Sequence, residues 1–284
     1  MGKKIISFSL WGNESMYTVG AIRNAELAKE IYPDWICRFY VGDDVNEDII
    51  GKLKSFDNTE VIVMVEEKND WQGMFWRFYV IDNGDVDYVI FRDTDSRLTI
   101  REKEAVNEWI GSGRYFHIMR DHVYHTEAIM GGMWGCKPKE LISKINEEVY
   151  SNGLSAVSEL KKVINDWLNH EDMNIKNKRH NHLTDEQLVT KGIDQIFLRS
   201  LIYPMVYNDS WIHDSYPQYN CFSGRFDYQY NNSKELNTGF PSSRGTDWNN
   251  FIGQVYDEND IPVEEYGESL KQRDKCIYMG WDKE

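Results

Sequence analysis

The most reactive pattern in the chain is Asp93-Thr94-Asp95, which follows the apolar run VDYVIF of residues 86–91 after one arginine. Two carboxylates two residues apart at a strand exit can converge on one hard cation when the chain turns, and their oxygens suit Mg2+ or Mn2+. In open α/β sheets, ligands collect at that carboxyl edge. A solvated turn whose aspartates bond their own backbone is the plain alternative. A second pattern is Gly131-Gly132 with Trp134 close behind. Paired glycines let backbone approach a ligand where side chains would clash. Trp134 then offers a flat face for a sugar ring, or else fills the core. Asp121 and His122 precede this stretch and are expected in a loop after a strand, facing an acceptor.

The elements that must position these residues follow from hydrophobic periodicity. Residues 4–10, 35–41, 60–65, 86–91 and 115–119 are apolar runs that predict strands, and residues 16–32, 47–55 and 100–110 predict helices between them. Such alternation implies βαβ units, an α/β fold and a mostly parallel sheet. Thr99 and Glu102 have capping-box spacing. Residues 71–81 read as a helix, and residues 138–150 and 154–169 as amphipathic helices. Residues 171–183 read as a polar loop, and His170, His180 and His182 as solvated. Thr184 and Gln187 form a second capping-box pair opening a helix over 185–202, with a break at Gly192 and an end before Pro204. The IYPMVY run of residues 202–207 looks strand-like, and from residue 213 the pattern dissolves.

Composition bounds the function. The chain has 284 residues, with Lys plus Arg 32 against Asp plus Glu 47, a formal net charge of −15. That balance repels a phosphate backbone and excludes non-specific nucleic-acid binding, but leaves room for one nucleotide held through a metal. Aromatic residues make up 14% of the chain, including 10 Trp and 17 Tyr. That is more than core filling asks for, and aromatic faces stack on bases and sugars. The four cysteines are scattered with no CxxC pair, which excludes a zinc ribbon or thioredoxin-type site and suits a reducing compartment. No run approaches a transmembrane length. The expected location is cytoplasmic, or membrane-associated through partners.

Residues 71–97, WQGMFWRFYVIDNGDVDYVIFRDTDSR, and residues 116–135, FHIMRDHVYHTEAIMGGMWG, resemble a group of bacterial and viral glycosyltransferases of the GT-A fold, with likeness to retaining families 6 and 8. The resemblance spans roughly residues 3–215. It implies one catalytic domain over residues 1–284, with a nucleotide-sugar half at about 1–114, an acceptor half at about 115–225 and an irregular extension beyond. It implies that Asp93 and Asp95 hold the metal, with His213 as a third protein ligand. Ser9, Leu10 and Trp11 would line the nucleotide site, with Trp11 or Tyr17 stacking on the base. Asp43 would touch a uracil edge, and Arg77 and Thr94 the donor. Gly131, Gly132 and Trp134 would form the donor-sugar loop. Asp194 and Gln195 would lie near the anomeric carbon, although Ile196 stands where the family 8 motif has a second aspartate. Each residue keeps a structural alternative: core packing for Trp11, Tyr17 and Trp134, a cap or turn for Asp43, a surface ion pair for Arg77, a helix N-terminus for Asp194, and a satisfied surface position for His213.

The function these readings favour is metal-dependent transfer of a sugar from a UDP-sugar, or alternatively a GDP-sugar, to a glycan or other hydroxyl acceptor with retention. The basic residues Arg77, Arg92 and Arg97 are expected to help hold phosphate. An inverting route would need a general base, for which Asp121, His122 or Asp194 would serve. A haloacid-dehalogenase-like phosphotransferase also places DxD after a strand, but that pattern opens its chain and lacks an arginine at the place of Arg97. A non-catalytic carbohydrate-binding protein is the third class, and it has no need of an ordered acidic pair at a sheet edge.

Overall fold

The computed structural model describes residues 2–65, 67, 69–125, 127–151, 159–169, 192–215, 237–245 and 247–278. The expected loop over 171–183, the three histidines within and beside it and the Thr184/Gln187 pair lie outside these residues. So does the start of the helix expected from 154.

The chain forms a mixed α/β structure around a mostly parallel sheet. Its elements run β1 (Lys3–Leu10), α1 (Ser15–Ile31), β2 (Ile36–Gly42), α2 (Glu47–Lys54), β3 (Thr59–Met64), a 3-10 helical segment (Trp71–Asp82), β4 (Val86–Phe91) and α3 (Ile100–Ser112). Then come β5 (Phe116–Arg120), β6 (Trp134–Cys136), α4 (Pro138–Ser151), α5 (Leu160–Asn169), α6 (Ile193–Phe197), β7 (Ser210–Asp214), β8 (Asn237–Thr238) and α7 (Glu264–Tyr278). The strand order is β3-β2-β1-β4-β6-β5-β7-β8. All neighbouring pairs are parallel except β4 with β6 and β6 with β5. Among the described residues no helix is long and apolar enough to cross a membrane.

Helices cover both faces, so the central strands are buried on both sides. In β1, Ile6, Phe8 and Leu10 pack with Ala21, Ala25 and Ala28 of α1, while Ile5 joins the core with Phe75, Trp76 and Phe78 of the 3-10 segment. This is the period-2 alternation of a strand, and it turns Ser7 and Ser9 toward that segment. Ser7 Oγ donates to Arg77 O at 2.7 Å, and Arg77 N–H donates to Ser9 Oγ at 2.9 Å. Two serines of the first strand therefore fix the backbone of Arg77.

Residues 71–82 form a helix of the tighter 3-10 kind, which seldom runs past a turn. Asp70 caps it, its Oδ1 accepting from Gln72 N–H at 2.8 Å. Seven of its 12 residues are buried, so packing holds it rather than its own hydrogen bonds. The helical run after Gly192 does not stop before Pro204. It passes through a wide π-type turn, Leu198–Ile202, into a last turn, Tyr203–Val206. The wide turn absorbs the proline, whose missing N–H would break a regular ladder. The IYPMVY run is therefore helical, and the strand is the next stretch, Ser210–Asp214. An apolar run that short does not separate a buried helix from a strand. Strand β6, only three residues long, falls where a loop was expected.

Candidate active site

Strand β4 ends at Phe91, and Arg92 N–H still bonds Ser7 O at 3.1 Å. The next three residues, Asp93, Thr94 and Asp95, form one wall of a cleft of about 610 Å³. The turn is held from both sides. Asn24 of α1 donates from Nδ2 to Ser96 O at 2.8 Å and accepts from Leu98 N–H at 3.0 Å. From the far end of the chain, Tyr256 N–H donates to Asp95 O at 2.8 Å, and Ser96 forms an antiparallel bridge with Val255. The Asp93 side chain is 46% exposed, the one carboxylate of its network that solvent and ligands reach.

Behind it lies a buried network. Arg77 pairs through Nη1 with Asp93 and through Nη2 with Asp194 at 2.6 Å. Burial opposes the Arg77 charge, but the two aspartates outweigh it and raise its pKa. Burial pushes the Asp194 carboxyl up from the ordinary range against the pull of Arg77. Gly131 and Gly132 lie directly over these charges. A Cβ on Gly131 would collide with Asp194 Oδ2 and Arg77 Nη2, and one on Gly132 with Asp93 Oδ2. Only glycine fits at either position, and this packing joins β4, the 3-10 segment, α6 and the loop before β6.

Ser9, Leu10, Trp11, Tyr17, Arg77, Thr94, Gly131, Gly132 and Gln195 line the same cleft as Asp93 and Asp95. Trp11 meets Trp71 edge to face at 6.0 Å and Trp76 at 6.2 Å. Burial first, then Asp95, raises the Tyr17 phenol, which stays a neutral donor.

Other expectations are corrected. Asp43 accepts from Asn69 Nδ2 at 2.7 Å and its neighbour Asp44 faces the cleft instead. Trp134 is drawn into the core by β6, 1% exposed and packed on Phe91 and Phe78. Asp194 is fully buried beneath Gly131, where it contacts Arg77 and not the cleft, and Gln195 is the member of that pair on the cleft wall. Asp121 is fully buried and takes four hydrogen bonds: two from Arg101 at 2.9 Å, one from Ser215 Oγ at 2.6 Å and one from Ile252 N–H at 3.0 Å. It has no route to an acceptor. His122 lines the cleft, but Tyr124 N–H donates to its Nδ1 at 3.0 Å and its Nε2 donates to Tyr266 O at 2.9 Å. With both ring nitrogens engaged, it is not a free base. His213 lies inside β7 with Nδ1 2.8 Å from His117 and Nε2 2.9 Å from Glu108. It is outside the cleft and in no position to join Asp93 and Asp95. Arg92 is bound to Glu102 at 2.7 Å, and Arg97 to Asp260 at 2.6 Å, so neither is free to hold phosphate. Trp76, like Trp134, is a core residue, and Trp211 packs against the core on the α1 side of the sheet, whereas Trp11 lines the cleft.

The sequence reading missed the contribution of the C-terminal extension. Phe251, Ile252, Gly253, Val255 and Tyr266 all line the cleft, with Tyr124, Trp71 and Glu14 from earlier loops. The aromatic excess of the tail was the available signal, and part of it serves the site. His125 also lines the cleft. Its Nδ1 accepts from Asp121 N–H at 3.0 Å, and burial, then His122, hold its pKa well below the usual imidazole range.

Among the described residues no group of three or more His, Cys, Asp or Glu is placed to hold a metal. Asp93 and Asp95 remain a two-carboxylate set of hard oxygens. Their chemistry fits a cation of the Mg2+ kind, which keeps waters and substrate phosphates in its other positions. The described lining of the cleft is acidic: Glu14, Asp44, Asp93, Asp95, Glu102 and Glu127 stand against Arg77 and Arg92, with Asp93 paired to Arg77, Glu102 to Arg92 and Glu127 to Arg199.

No protein-family model matches the chain, and no curated protein matches its sequence. Solved structures with some likeness of fold include a glycosyltransferase involved in the glycosylation of the major capsid of PBCV-1, 14% identical with a TM-score of 0.40 over 77% of this chain and 88% of that one. They also include the galactosyltransferase LgtC in complex with donor and acceptor sugar analogs, 13% identical with a TM-score of 0.37 over 80% and 81%. A third is mannosyl-3-phosphoglycerate synthase from Rubrobacter xylanophilus, 15% identical with a TM-score of 0.35 over 50% and 56%. Likeness at this level says nothing of substrate or mechanism, which rest on the residues of the cleft.

Proposed function

We propose that the cleft binds a nucleoside diphosphate sugar, a UDP-sugar in preference to a GDP-sugar, and transfers its sugar to a hydroxyl of a glycan or similar acceptor. One observation carries this reading: Asp93 and Asp95 leave the carboxyl edge of β4 into the cleft where Gly131-Gly132 presses against the Arg77–Asp93–Asp194 network. Asp93 and Asp95 would hold a divalent cation, Mn2+ or Mg2+, whose charge offsets that of the leaving diphosphate. Without such a counter-charge, a diphosphate would enter a cleft that is already acidic.

The remaining roles follow from position. Trp11 and Trp71 form an edge-to-face corner in which a base can stack. Ser9 and Asp44 stand beside them to receive polar edges. Arg77 sets the orientation of Asp93 and is itself held by Asp194 and by Ser7 and Ser9. The backbone of Gly131-Gly132 would approach the donor sugar closely, and Gln195 would face its reacting carbon. Asp121, His122 and Asp194 are the bases an inverting route would use, and all three are engaged within the protein; this supports retention.

A thermal-shift series with UDP, UDP-sugars and GDP-sugars, each with and without Mn2+, tests the reading. Stabilisation that needs both nucleotide and metal, and that disappears in the Asp93→Ala/Asp95→Ala double variant, is expected. The absence of any nucleotide response, or an unchanged response in the double variant, would overturn it. The anomeric configuration of the product, followed by NMR during turnover, reads retention directly.

A further inference from the structure

The wall of the cleft built by the loop after β5, the 251–255 segment and α7 adjoins the acidic DxD turn but differs from it in kind. Tyr124 is 64% exposed and Tyr266 37%, and both line the cleft. A ring exposed inside a concave site, with an apolar face and a polar hydroxyl, is suited to a ligand that is itself part apolar and part polar. His122 pins the two tyrosines together: Tyr124 N–H donates to its Nδ1 at 3.0 Å, and its Nε2 donates to Tyr266 O at 2.9 Å. An acceptor at Nδ1 with a donor at Nε2 is the neutral tautomer. The His122 ring lies 4.5 Å from Phe251 at an interplanar angle of 36° and 5.2 Å from Tyr124. The loop after β5, the 251–255 segment and α7 thus meet at one histidine.

We infer that Tyr124 and Tyr266, held by His122 on Phe251, form the acceptor platform, and that its ligand is an uncharged, hydroxyl-rich sugar ring. This deepens the proposed function and rests on it for the word acceptor. The class follows from two facts. The C–H edges of a pyranose meet the electron-rich face of an aromatic ring favourably, and Tyr124 leaves such a face open. Among the described residues no lysine lines the cleft, and its two arginines, Arg77 and Arg92, are held in ion pairs with carboxylates. His122 is here a positioning residue.

Binding of a panel of neutral methyl glycosides and disaccharides, measured by saturation-transfer NMR on the full chain, tests this. The panel runs alongside choline as a cationic probe and a sialylated disaccharide as an anionic one. Neutral glycosides are expected to bind. Tyr124→Ala should weaken the best of them about tenfold, while Tyr124→Phe retains binding because the ring face remains. Both variants should keep the wild-type melting temperature and the nucleotide-plus-Mn2+ stabilisation. No neutral glycoside binding, choline or the anionic sugar binding in its place, or Tyr124→Ala binding as wild type would each overturn the inference. If glycosides bind through Tyr124 while no nucleotide stabilises the chain, the donor reading falls and the platform stands as a sugar site.

Discussion

Two arginine–aspartate pairs, Arg101–Asp121 and Arg77–Asp93, differ in one respect. Arg101–Asp121 is sealed: both partners are buried, and the carboxylate takes four hydrogen bonds at 2.6–3.0 Å. Arg77 is buried as deeply, but one of its two carboxylates, Asp93, opens to the cleft. A sealed pair joins segments; here it ties α3 and β5 to Ser215 and Ile252. An open pair holds a charge ready for a ligand. Both look alike in sequence, as a basic and an acidic residue far apart, and only the path of the chain assigns their roles.

The largest effect expected is at the sealed pair. Asp121→Ala leaves the Arg101 guanidinium buried without its carboxylate and frees Ile252 N–H and Ser215 Oγ, so denaturant unfolding should show a loss of about 3–5 kcal/mol. Asp93→Ala leaves Arg77 paired with Asp194 and exposes little that was dry, so its unfolding should shift by less than about 1.5 kcal/mol while nucleotide-plus-Mn2+ binding disappears. Equal losses of stability in the two variants would erase the distinction between sealed and open.

Next in size is Asp194→Asn. The amide keeps the shape beneath Gly131 but replaces a charge-assisted bond to Arg77 with a neutral one. A loss of about 1.5–3 kcal/mol in unfolding is expected, with weaker donor binding, because Arg77 no longer holds Asp93 from behind. Donor binding unchanged beside a normal loss of stability would show that Asp194 serves the core and not the site.

The two pairs should also separate by pH. His213 lies beside the sealed pair and bonds His117 at 2.8 Å. Burial lowers both imidazoles, with Glu108 and Asp121 opposing it at His213, and Arg101 there and Arg92 at His117 adding to it. The geometry agrees: His213 Nε2–H faces Glu108, so its Nδ1 must accept from His117, and a proton there would set two donors against each other. The folded state thus binds fewer protons than the unfolded chain. Stability from this pair is complete above the unfolded imidazole value of about 6.5 and falls as pH drops below it, by up to about 1.4 kcal/mol per unit for each histidine. Urea unfolding at neutral and mildly acid pH measures the slope, and His117→Gln should flatten it. An unchanged slope in that variant would remove the histidine pair from the account.

Much of the DxD side was legible because its signals are local. Strand β4 is a continuous apolar run that ends at its acids, and the Ser7–Ser9 alternation of β1 places two hydroxyls on one face. Gly131-Gly132 marked a close approach, although the partners, Arg77, Asp93 and Asp194, come from three separate segments. The sequence failed where contacts are long-range or elements short. Trp134 reads as a sugar platform because a three-residue strand carries no periodicity, yet that strand draws it inside. Asp121 and His122 look like catalytic groups by type, but their partners lie at residues 101, 215, 252 and 266. Asp43 and Asp44 are adjacent, and only the turn geometry decides which faces the cleft. The tail gave no helical or strand period over 247–263, yet Phe251, Ile252, Gly253 and Val255 of that stretch line the cleft.

The smallest effect tests whether the two pairs share a support. Thr99 caps α3, its Oγ1 accepting from Glu102 N–H at 3.1 Å. The first turn of that helix carries Arg101, which serves the sealed pair, and Glu102, whose Oε1 accepts from Arg92 Nε at 2.7 Å and Tyr32 OH at 3.0 Å. Glu102 does not reach back to complete the capping box, because Arg92 at the base of the DxD turn claims it. Thr99→Ala removes the cap and should cost about 1 kcal/mol, with Thr99→Ser recovering most of it. Because the turn that frays holds both Arg101 and Arg92, the loss should appear in unfolding and also as a modest fall in nucleotide-plus-Mn2+ stabilisation. A loss confined to unfolding would show that the DxD turn is held by Asn24 and Tyr256 alone, and that the open and sealed pairs are energetically separate.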